Sequence, residues 1–419
     1  MSRHAVEMAA RDSYGRLLAW LVSRCRDIAL AEDVLADALE AALLSWPEKG
    51  VPENPEAWLL TVARRKLIDQ QRRAATRTAG SAELEFVAQA RLQREAAEAT
   101  DTPFRTALPD RRLELMFVCA HPEIPREMRT PLMLQAVLGL TAERIAATML
   151  VQPSTMGQRL VRTKRKITDL GVSFDLPEGA ELSDRLFHVL EAIYAAYGSG
   201  QAADSETGEG DSGLAHEAFW LARILVELLP DAAEAKGLYA LLCFCESRRD
   251  ARRSESGEYV PLEEQDTNRW DHELILEGEK ALWLASKRRD GGPFQTEAAI
   301  HSVHAHRARS GRTDWEGIYR LYEVLTGLFP SLGAYIGKAA SCGRTGRAGE
   351  GMAILDALPA KQTERHQPYW AVRAWLLSTL DRYAEAKAAY ERAIGLCLDP
   401  AVRRWLLRRA ERLSTEAKK

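Results

Sequence analysis

The stretch from Leu140 to Ile167 constrains the fold most, because it carries the signals of two short helices joined by a tight turn. Thr141 can cap the first helix, and Glu143 suits the positive end of that helix's dipole. The first helix should run to about Met149. Pro153 fits the first turn of the second helix, since the N–H that it lacks would be unpaired there. The pattern predicts a helix-turn-helix.

The second of these helices is predicted to have one apolar side and one cationic side. Met156, Leu160 and Ile167 recur at spacings of four and seven residues and form an apolar stripe. Between Pro153 and Thr168 there are five basic residues and no acidic one. Such a helix suits the major groove of DNA and its phosphates. A solvated basic face is the alternative interpretation. The residues predicted on the other faces are Gln158, Arg159, Arg162, Arg165 and Lys166.

Another basic helix is predicted to open at Asn54-Pro55-Glu56, which supplies an N-cap, a first-turn proline and a first-turn acid. Between Val62 and Thr78, six basic residues against Asp69 leave a net charge of +5. Trp58 near the helix start adds a stacking platform to this phosphate-neutralising surface, the combination that binds single-stranded nucleic acid. A core position is the alternative interpretation, because a large aromatic side chain is usually buried. The basic residues singled out are Arg64, Arg65, Lys66, Arg72 and Arg73.

An acidic ridge is predicted on the preceding helix, which spans Ile28 to Trp46 and should end at Pro47 and Gly50. Its acidic residues have spacings that place most of them on one side. The ridge is either a solvated face or a surface that docks against a basic partner. These residues are Glu32, Asp33, Asp37 and Glu40.

Helical periodicity dominates the chain without a recognisable strand pattern, so we predict an all-α protein. A length of 419 residues predicts two to four domains. The six cysteines form no C-x-x-C pair, which fits a reducing cytoplasm. The longest apolar run, Leu238 to Cys245, is far shorter than the ~18 residues of a membrane span. We therefore expect a cytoplasmic protein without a membrane segment.

Catalytic and metal-binding patterns are not recognisable in the sequence. No Ser/His/Asp or paired-carboxylate arrangement is apparent, so we predict that the protein is not an enzyme. His301 and His304 can share a helix face, but packing or surface histidines explain them better than a metal does. We predict no metal and no other cofactor.

Four successive segments resemble extracytoplasmic-function RNA polymerase sigma factors. They are AEDVLADALEAALLSWP, PEAWLLTVARRKLIDQQRR, DRRLELMFVCAHPEI and LTAERIAATMLVQPSTMGQRLVRTKRKI. The resemblance implies a sigma-two domain over residues 8–76, which binds core polymerase and melts the minus-ten element. It further implies a linker over residues 77–107 and a sigma-four domain over residues 108–173, which binds the minus-thirty-five element.

The same resemblance assigns roles to particular residues. Glu32, Asp33 and Asp37 are implied to bind core RNA polymerase. The family often has Gln at the position of Ala36, so one polar core contact is expected to be absent here. The implied DNA-binding residues are Trp58, Arg64, Arg65, Lys66, Arg72 and Arg73 in the first domain and Ser154, Thr155, Gln158, Arg159, Arg162, Lys164, Arg165 and Lys166 in the second.

The rest of the chain is similar to one subgroup of these sigma factors, in which a tetratricopeptide-like helical-repeat domain follows, here residues 180–415. The similar segments are RLFHVLEAIYAAYGSG, QDTNRWDHELILEGEKAL and RRDGGPFQTEAAIHSVHA. Residues 198–213 depart from the subgroup and are predicted to be a flexible insertion. Independently of this resemblance, one stretch approaches the tetratricopeptide spacing. Its positions are Leu380, Tyr383, Ala386, Tyr390 and Ala393.

The leading functional hypothesis is therefore a sigma factor whose partners are core RNA polymerase and promoter DNA. Stacked helical pairs commonly present a concave surface, so a small protein partner on the C-terminal domain is expected, with a purely structural cap as the alternative. The resemblance implies that this domain is needed for activity; autoinhibition is the opposite possibility. The competing function is a conventional helix-turn-helix regulator with a ligand- or protein-sensing repeat domain.

Overall fold

The computed structural model describes residues 2–78, 110–149, 151–174, 176–207 and 213–416. Within these ranges the secondary structure is helical, and the β pairing is an isolated antiparallel bridge between Arg253 and Tyr259. The predicted all-α fold is confirmed. The chain divides into two compact units, Met1–Ala196 and Tyr197–Lys419. The predicted linker, residues 77–107, lies almost wholly outside the described residues.

Two helices of the first unit start at the capping residues that the sequence predicts. Asn54 Oδ1 accepts a hydrogen bond from the Ala57 amide at 3.0 Å, and Thr141 accepts one from the Arg144 amide at 3.4 Å, so both predicted N-caps are confirmed. The helices are α1 (Ser2–Cys25), α2 (Ile28–Lys49), α3 (Pro55–Thr78), α4 (Arg112–Cys119), α5 (Arg126–Ala136), α6 (Ala142–Thr148), α7 (Pro153–Leu170) and α8 (Gly179–Thr207), which passes the unit boundary.

The end of α2 differs from its prediction. The helix continues through Pro47 to Lys49, and it ends at Gly50, whose φ of 84° lies in the region that favours glycine. Ala36 is exposed on this helix. The expected absence of one polar contact with core polymerase at that position stays a prediction.

The predicted apolar stripe of α7 is confirmed, because Met156, Leu160 and Ile167 are all buried. They pack with α5 and α6 in a core that includes Leu132 and Ile145. Because this stripe is buried, the opposite side of α7 is exposed to solvent.

The two predicted sigma modules, α1–α3 and α4–α7, both belong to the first unit and pack on each other. A Cβ on Gly15 would collide with the carbonyl oxygen of Val137, so glycine is required for this approach of α1 to the end of α5. The start of α8 also belongs here. Arg185 donates to the carbonyl of Phe117 at 3.2 Å, so the region predicted as residues 180–415 begins with a segment that packs in the first unit.

The second unit is a succession of paired helices with short connections, except for the longer segment of residues 247–271, which contains three short 3-10 helices. The α-helices are α9 (Gly213–Leu228), α10 (Ala233–Glu246), α11 (His272–Ser286), α12 (Pro293–Ala305), α13 (Arg307–Ser310), α14 (Trp315–Leu328), α15 (Leu332–Arg344), α16 (Ala348–Asp356), α17 (Ala360–Thr363), α18 (Gln367–Thr379), α19 (Tyr383–Leu396) and α20 (Pro400–Glu416).

Helices α18 and α19 pack closely around the positions that the repeat spacing singled out. Ala386, Tyr390 and Ala393 are buried, and Leu380 and Tyr383 pack against the same cluster. The predicted flexible insertion over residues 198–213 is wrong as far as Thr207, because α8 continues as a regular helix to that residue. Residues 208–212 lie outside the described part of the chain.

Candidate nucleic-acid interface

Helix α7 presents a cationic face to solvent. Pro153 occupies its first turn, and the buried stripe fixes its rotation against α5 and α6. Lys166 Nζ also contacts the carbonyl oxygen of Glu123. Because the other face is buried, the exposed residues form one continuous surface of polar and basic groups. They are Ser154, Thr155, Gln158, Arg159, Arg162, Arg165 and Lys166.

Lys164 is the exception among the predicted DNA-binding residues of α7. Its side chain is 8% exposed, and its Nζ donates to both carboxylate oxygens of Glu32 at 2.6 Å. Glu32 is itself one of the predicted polymerase-binding residues, with its side chain 22% exposed. In this structure the ion pair joins α2 to α7 and withdraws both side chains from solvent. A buried charge needs such a partner, since an unpaired one is costly.

Trp58 lies half-buried at the start of α3. Its ring meets that of Trp46 edge-on, with centroids 5.5 Å apart. Trp46 is 2% exposed and belongs to the core. Trp58 therefore packs on the core along one edge and retains some contact with solvent, which combines features of both interpretations of this residue.

The basic residues of α3 differ in their surroundings. Arg65, Arg72 and Arg73 are exposed. The Arg64 guanidinium lies over the ring of Trp20, 5.9 Å from its centroid, and Lys66 pairs with Asp37 at 3.3 Å. This last pair joins a predicted DNA-binding residue to a predicted polymerase-binding residue, but both side chains remain open to solvent, at 43% and 41% exposure.

Two residues of the acidic ridge of α2, Asp33 and Glu40, are exposed to solvent. Leu44, four residues beyond Glu40, is 71% exposed and extends the ridge with an apolar side chain. Sequence reasoning missed Leu44. Its spacing from Glu40 places it on the ridge side of the helix, which was the available signal.

Buried and half-buried charges support the contact between the two modules. Burial raises the pKa of Glu56, although Arg16 lies 3.1 Å away. Burial alone would also raise the pKa of Asp110, but hydrogen bonds and the charge of Arg112 outweigh it and lower that pKa. Asp110 and Arg112 are joined at 2.7 Å, and Arg112 packs against Gly15.

Two further residues of α7 were missed by sequence reasoning. Val161 is 68% exposed, and Gly157 stands four residues before it on the same side of the helix. Both are apolar positions within an otherwise polar, basic face. The sequence signal for Val161 was its apolar side chain at a position outside the buried stripe.

Elsewhere, the six cysteines are free thiols. Among the residues that the structure describes, no group of His, Cys, Asp and Glu side chains is arranged to hold a metal ion. The described helices include none with the length and apolarity that crossing a membrane requires. His301 instead accepts a hydrogen bond from Arg248 at 2.6 Å, and His304 packs edge-on against Trp315.

Family models match two parts of the chain. The model of sigma-70 region 2 matches residues 10–77, and a family of unknown function (DUF6596) matches residues 185–286. An uncharacterized protein of Rhizobium meliloti (strain 1021) is 31% identical over 411 residues, which span 98% of this chain and 96% of that relative. No solved structure matches the chain.

The first three helices of the all-helical first unit cover the stretch that matches sigma-70 region 2, and this match supports a role in transcription initiation. The chain belongs to one family with the Rhizobium meliloti protein, and its match to sigma-70 region 2, followed in the chain by the DUF6596 match, supports membership of the sigma-70 family. Its similarity to the Rhizobium meliloti protein extends over nearly the full length of both chains.

Proposed function

We propose that this protein is a sigma factor that binds core RNA polymerase and directs it to specific promoters. The observation that carries the proposal is the exposed basic face of α7, which follows a sigma-70 region 2 in the same compact unit. A conventional regulator would need only the helix-turn-helix. The separate module with Trp58 and the basic residues of α3 supports a protein that also opens DNA.

DNA recognition is assigned to α7 and strand opening to α3. Arg159, Arg162 and Arg165 lie on the solvent side of α7, where they can reach phosphates or guanine edges in a major groove. The half-buried ring of Trp58, with the exposed Arg72 and Arg73 further along α3, suits unpaired bases and their phosphates.

Binding of core polymerase is assigned to α2. Asp33 and Glu40 are exposed, and Leu44 adds an apolar contact at the end of the ridge. A partner surface with basic residues around an apolar pocket would complement this combination. Such a surface on the polymerase clamp is the proposed docking site.

The ion pair between Lys164 and Glu32 must open before these two residues can contact DNA and polymerase. Because it ties α7 to α2, the described arrangement is a closed one in which part of each proposed surface covers the other. Binding of polymerase at α2 would then release Lys164 for DNA.

The helical pairs of the second unit are proposed to form a tetratricopeptide-like domain on which sigma activity depends. Their close packing around Ala386, Tyr390 and Ala393 supports a stacked-repeat arrangement. A small protein bound to this domain is the proposed additional partner, and the cytoplasm is the proposed location.

The experiment that tests this function is assembly with purified core RNA polymerase. Full-length protein should co-elute with core polymerase, and Asp33→Lys should weaken that association by at least about tenfold, because a rim charge is reversed. Glu53→Lys is the matched control, since Glu53 is an exposed acid in the loop before α3. A chain that binds DNA but never associates with core polymerase would be a conventional regulator instead.

A further inference from the structure

Val161 lies midway along α7, at one edge of its exposed face. It is 68% exposed, while the other apolar residues at the core side of this helix are buried. Gln158 lies three residues before it and Arg165 four residues after it, so all three project from one side. Both neighbours are exposed. The valine therefore contributes nothing to the core and borders a face that carries polar and basic groups.

Gly157 stands one helical turn before Val161. A Cβ at Gly157 would meet no other atom within 4 Å, so packing inside the protein does not require glycine at this position. Glycine inside a helix is less favourable than alanine. Glycine at a helical position with open space around it leaves room for the backbone of another molecule, or a base edge, to approach the helix closely.

We propose that Gly157 and Val161 form an apolar strip that packs against the 5-methyl group of a thymine in the promoter element bound by α7. This inference rests on the proposed function and names one base that α7 would recognise. Thymine alone among the DNA bases presents an apolar group in the major groove. Valine methyl groups complement it, and the missing side chain at Gly157 lets the groove edge come close.

The residues around the strip have the chemistry expected of a base-reading face. Gln158 has the amide group that pairs with an adenine edge, and Arg162 and Arg165 can bind guanine or phosphate. Gln158 next to Val161 thus favours neighbouring adenine and thymine positions. Phosphate contacts fix the register, whereas the strip contributes to sequence choice.

The test uses full-length protein assembled with core polymerase and a promoter duplex selected from randomised DNA. Each thymine of the upstream element is replaced in turn by deoxyuridine, which removes only the 5-methyl group. At one position the replacement should weaken binding about fourfold, the factor that corresponds to one buried methyl group. With Val161→Ala, thymine and deoxyuridine at that position should bind equally well.

A second variant separates contact from folding. Gly157→Ala should raise the melting temperature of the protein and yet weaken promoter binding, because the added methyl group occupies the space of the DNA edge. Gly198→Ala is the matched control. Gly198 also lies inside a helix, and a Cβ there would meet no other atom within 4 Å, so its substitution should raise the melting temperature and leave binding unchanged.

The outcomes distinguish this inference from the proposed function. If Arg159→Ala weakens promoter binding while no deoxyuridine replacement does, α7 binds DNA and the methyl contact is overturned. If loss of a thymine methyl group weakens binding of Val161→Ala as much as it weakens binding of the unsubstituted protein, the proposed contact of the strip is likewise overturned. If the assembled complex shows no preference for any promoter, the proposed function fails together with the inference.

Discussion

Trp58 packs on the core through one ring edge, against Trp46 at 5.5 Å, and is otherwise half-buried. Residue type alone suggested either a core or a DNA-facing position, and the structure gives this side chain an intermediate one. The intermediate position has a measurable consequence, since loss of the ring should affect both stability and strand opening.

Trp58→Ala should lower the free energy of unfolding by about 0.5–1.5 kcal/mol through loss of the ring pair, and further through loss of the buried part of the ring. Open-complex formation should show an additional loss, because stacking on an unpaired base is worth about 1–3 kcal/mol. Thermal unfolding measures the first effect, and permanganate reactivity of promoter thymines measures the second. Trp58→Phe, which keeps an aromatic ring, should restore most of the strand opening. A destabilised protein that melts the promoter normally would make Trp58 a core residue only.

At the scale of elements, the helix-turn-helix follows closely from its sequence because its determinants are local. The cap at Thr141, the first-turn Pro153 and the buried stripe of α7 act within one or two helical turns. The role of Lys164 could not be predicted in the same way. Its partner, Glu32, is 132 residues away in the chain, and helical periodicity does not specify which distant element covers a given position.

The ion pair between Glu32 and Lys164 is expected to hold α2 against α7. Glu32→Gln leaves the buried Lys164 without a carboxylate, which should cost about 3–5 kcal/mol in the closed arrangement. Hydrogen exchange should therefore rise in both helices. The double variant Glu32→Leu, Lys164→Met replaces the pair with apolar groups and should return exchange toward that of the unsubstituted protein.

The control for this experiment is the ion pair between Lys66 and Asp37, which is open to solvent. Asp37→Asn should change stability by less than about 1 kcal/mol, because exposed ion pairs contribute little. Equal exchange in α2 and α7 before and after Glu32→Gln would show that the pair does not hold the two modules together.

At the scale of the whole molecule, the all-α class and the order of the helical regions were predictable from periodicity and turn signals. The boundary between the two units was harder to predict from the sequence. Asp184 pairs with Arg129 at 3.2 Å, and Arg185 donates to Phe117, so the start of α8 completes the first unit. Nothing in the local pattern of α8 indicates that its two ends belong to different units, because the helix itself is uninterrupted.

This organisation changes how the second unit should be removed. A chain ending at Thr207 keeps the whole of α8, whereas one ending at Ser173 loses Asp184 and Arg185 and should be less stable. We expect residues 1–207 to support at least about fivefold less transcription than the full chain, the lower end of typical coupling between sites. A shortened protein more active than the full chain would instead indicate autoinhibition by the second unit.

The second unit should lose stability as the pH falls. Burial lowers the pKa of His304 to about 3 and lowers that of His301 well below its usual value, with nearby arginines adding to both effects. Between pH 6.5 and about 3 the unfolded chain binds more protons than the folded one. The free energy of unfolding should therefore fall by up to about 1.4 kcal/mol per pH unit for each histidine.

Chemical denaturation at pH 7.5 and pH 5 measures this dependence. His304→Gln should reduce the slope, because this histidine is held neutral in the folded protein. A slope that His304→Gln does not alter would mean that this histidine is not held neutral in the folded protein.

Transcription in vitro shows whether the chain gives core RNA polymerase its promoter specificity. Purified core polymerase, with or without full-length protein, is supplied with a template that carries the selected promoter. We predict a transcript with a single defined start that appears only when the protein is present and weakens with Arg159→Ala. A protein that binds the same DNA by itself and leaves the products of core polymerase unchanged would contradict the assignment as a sigma factor.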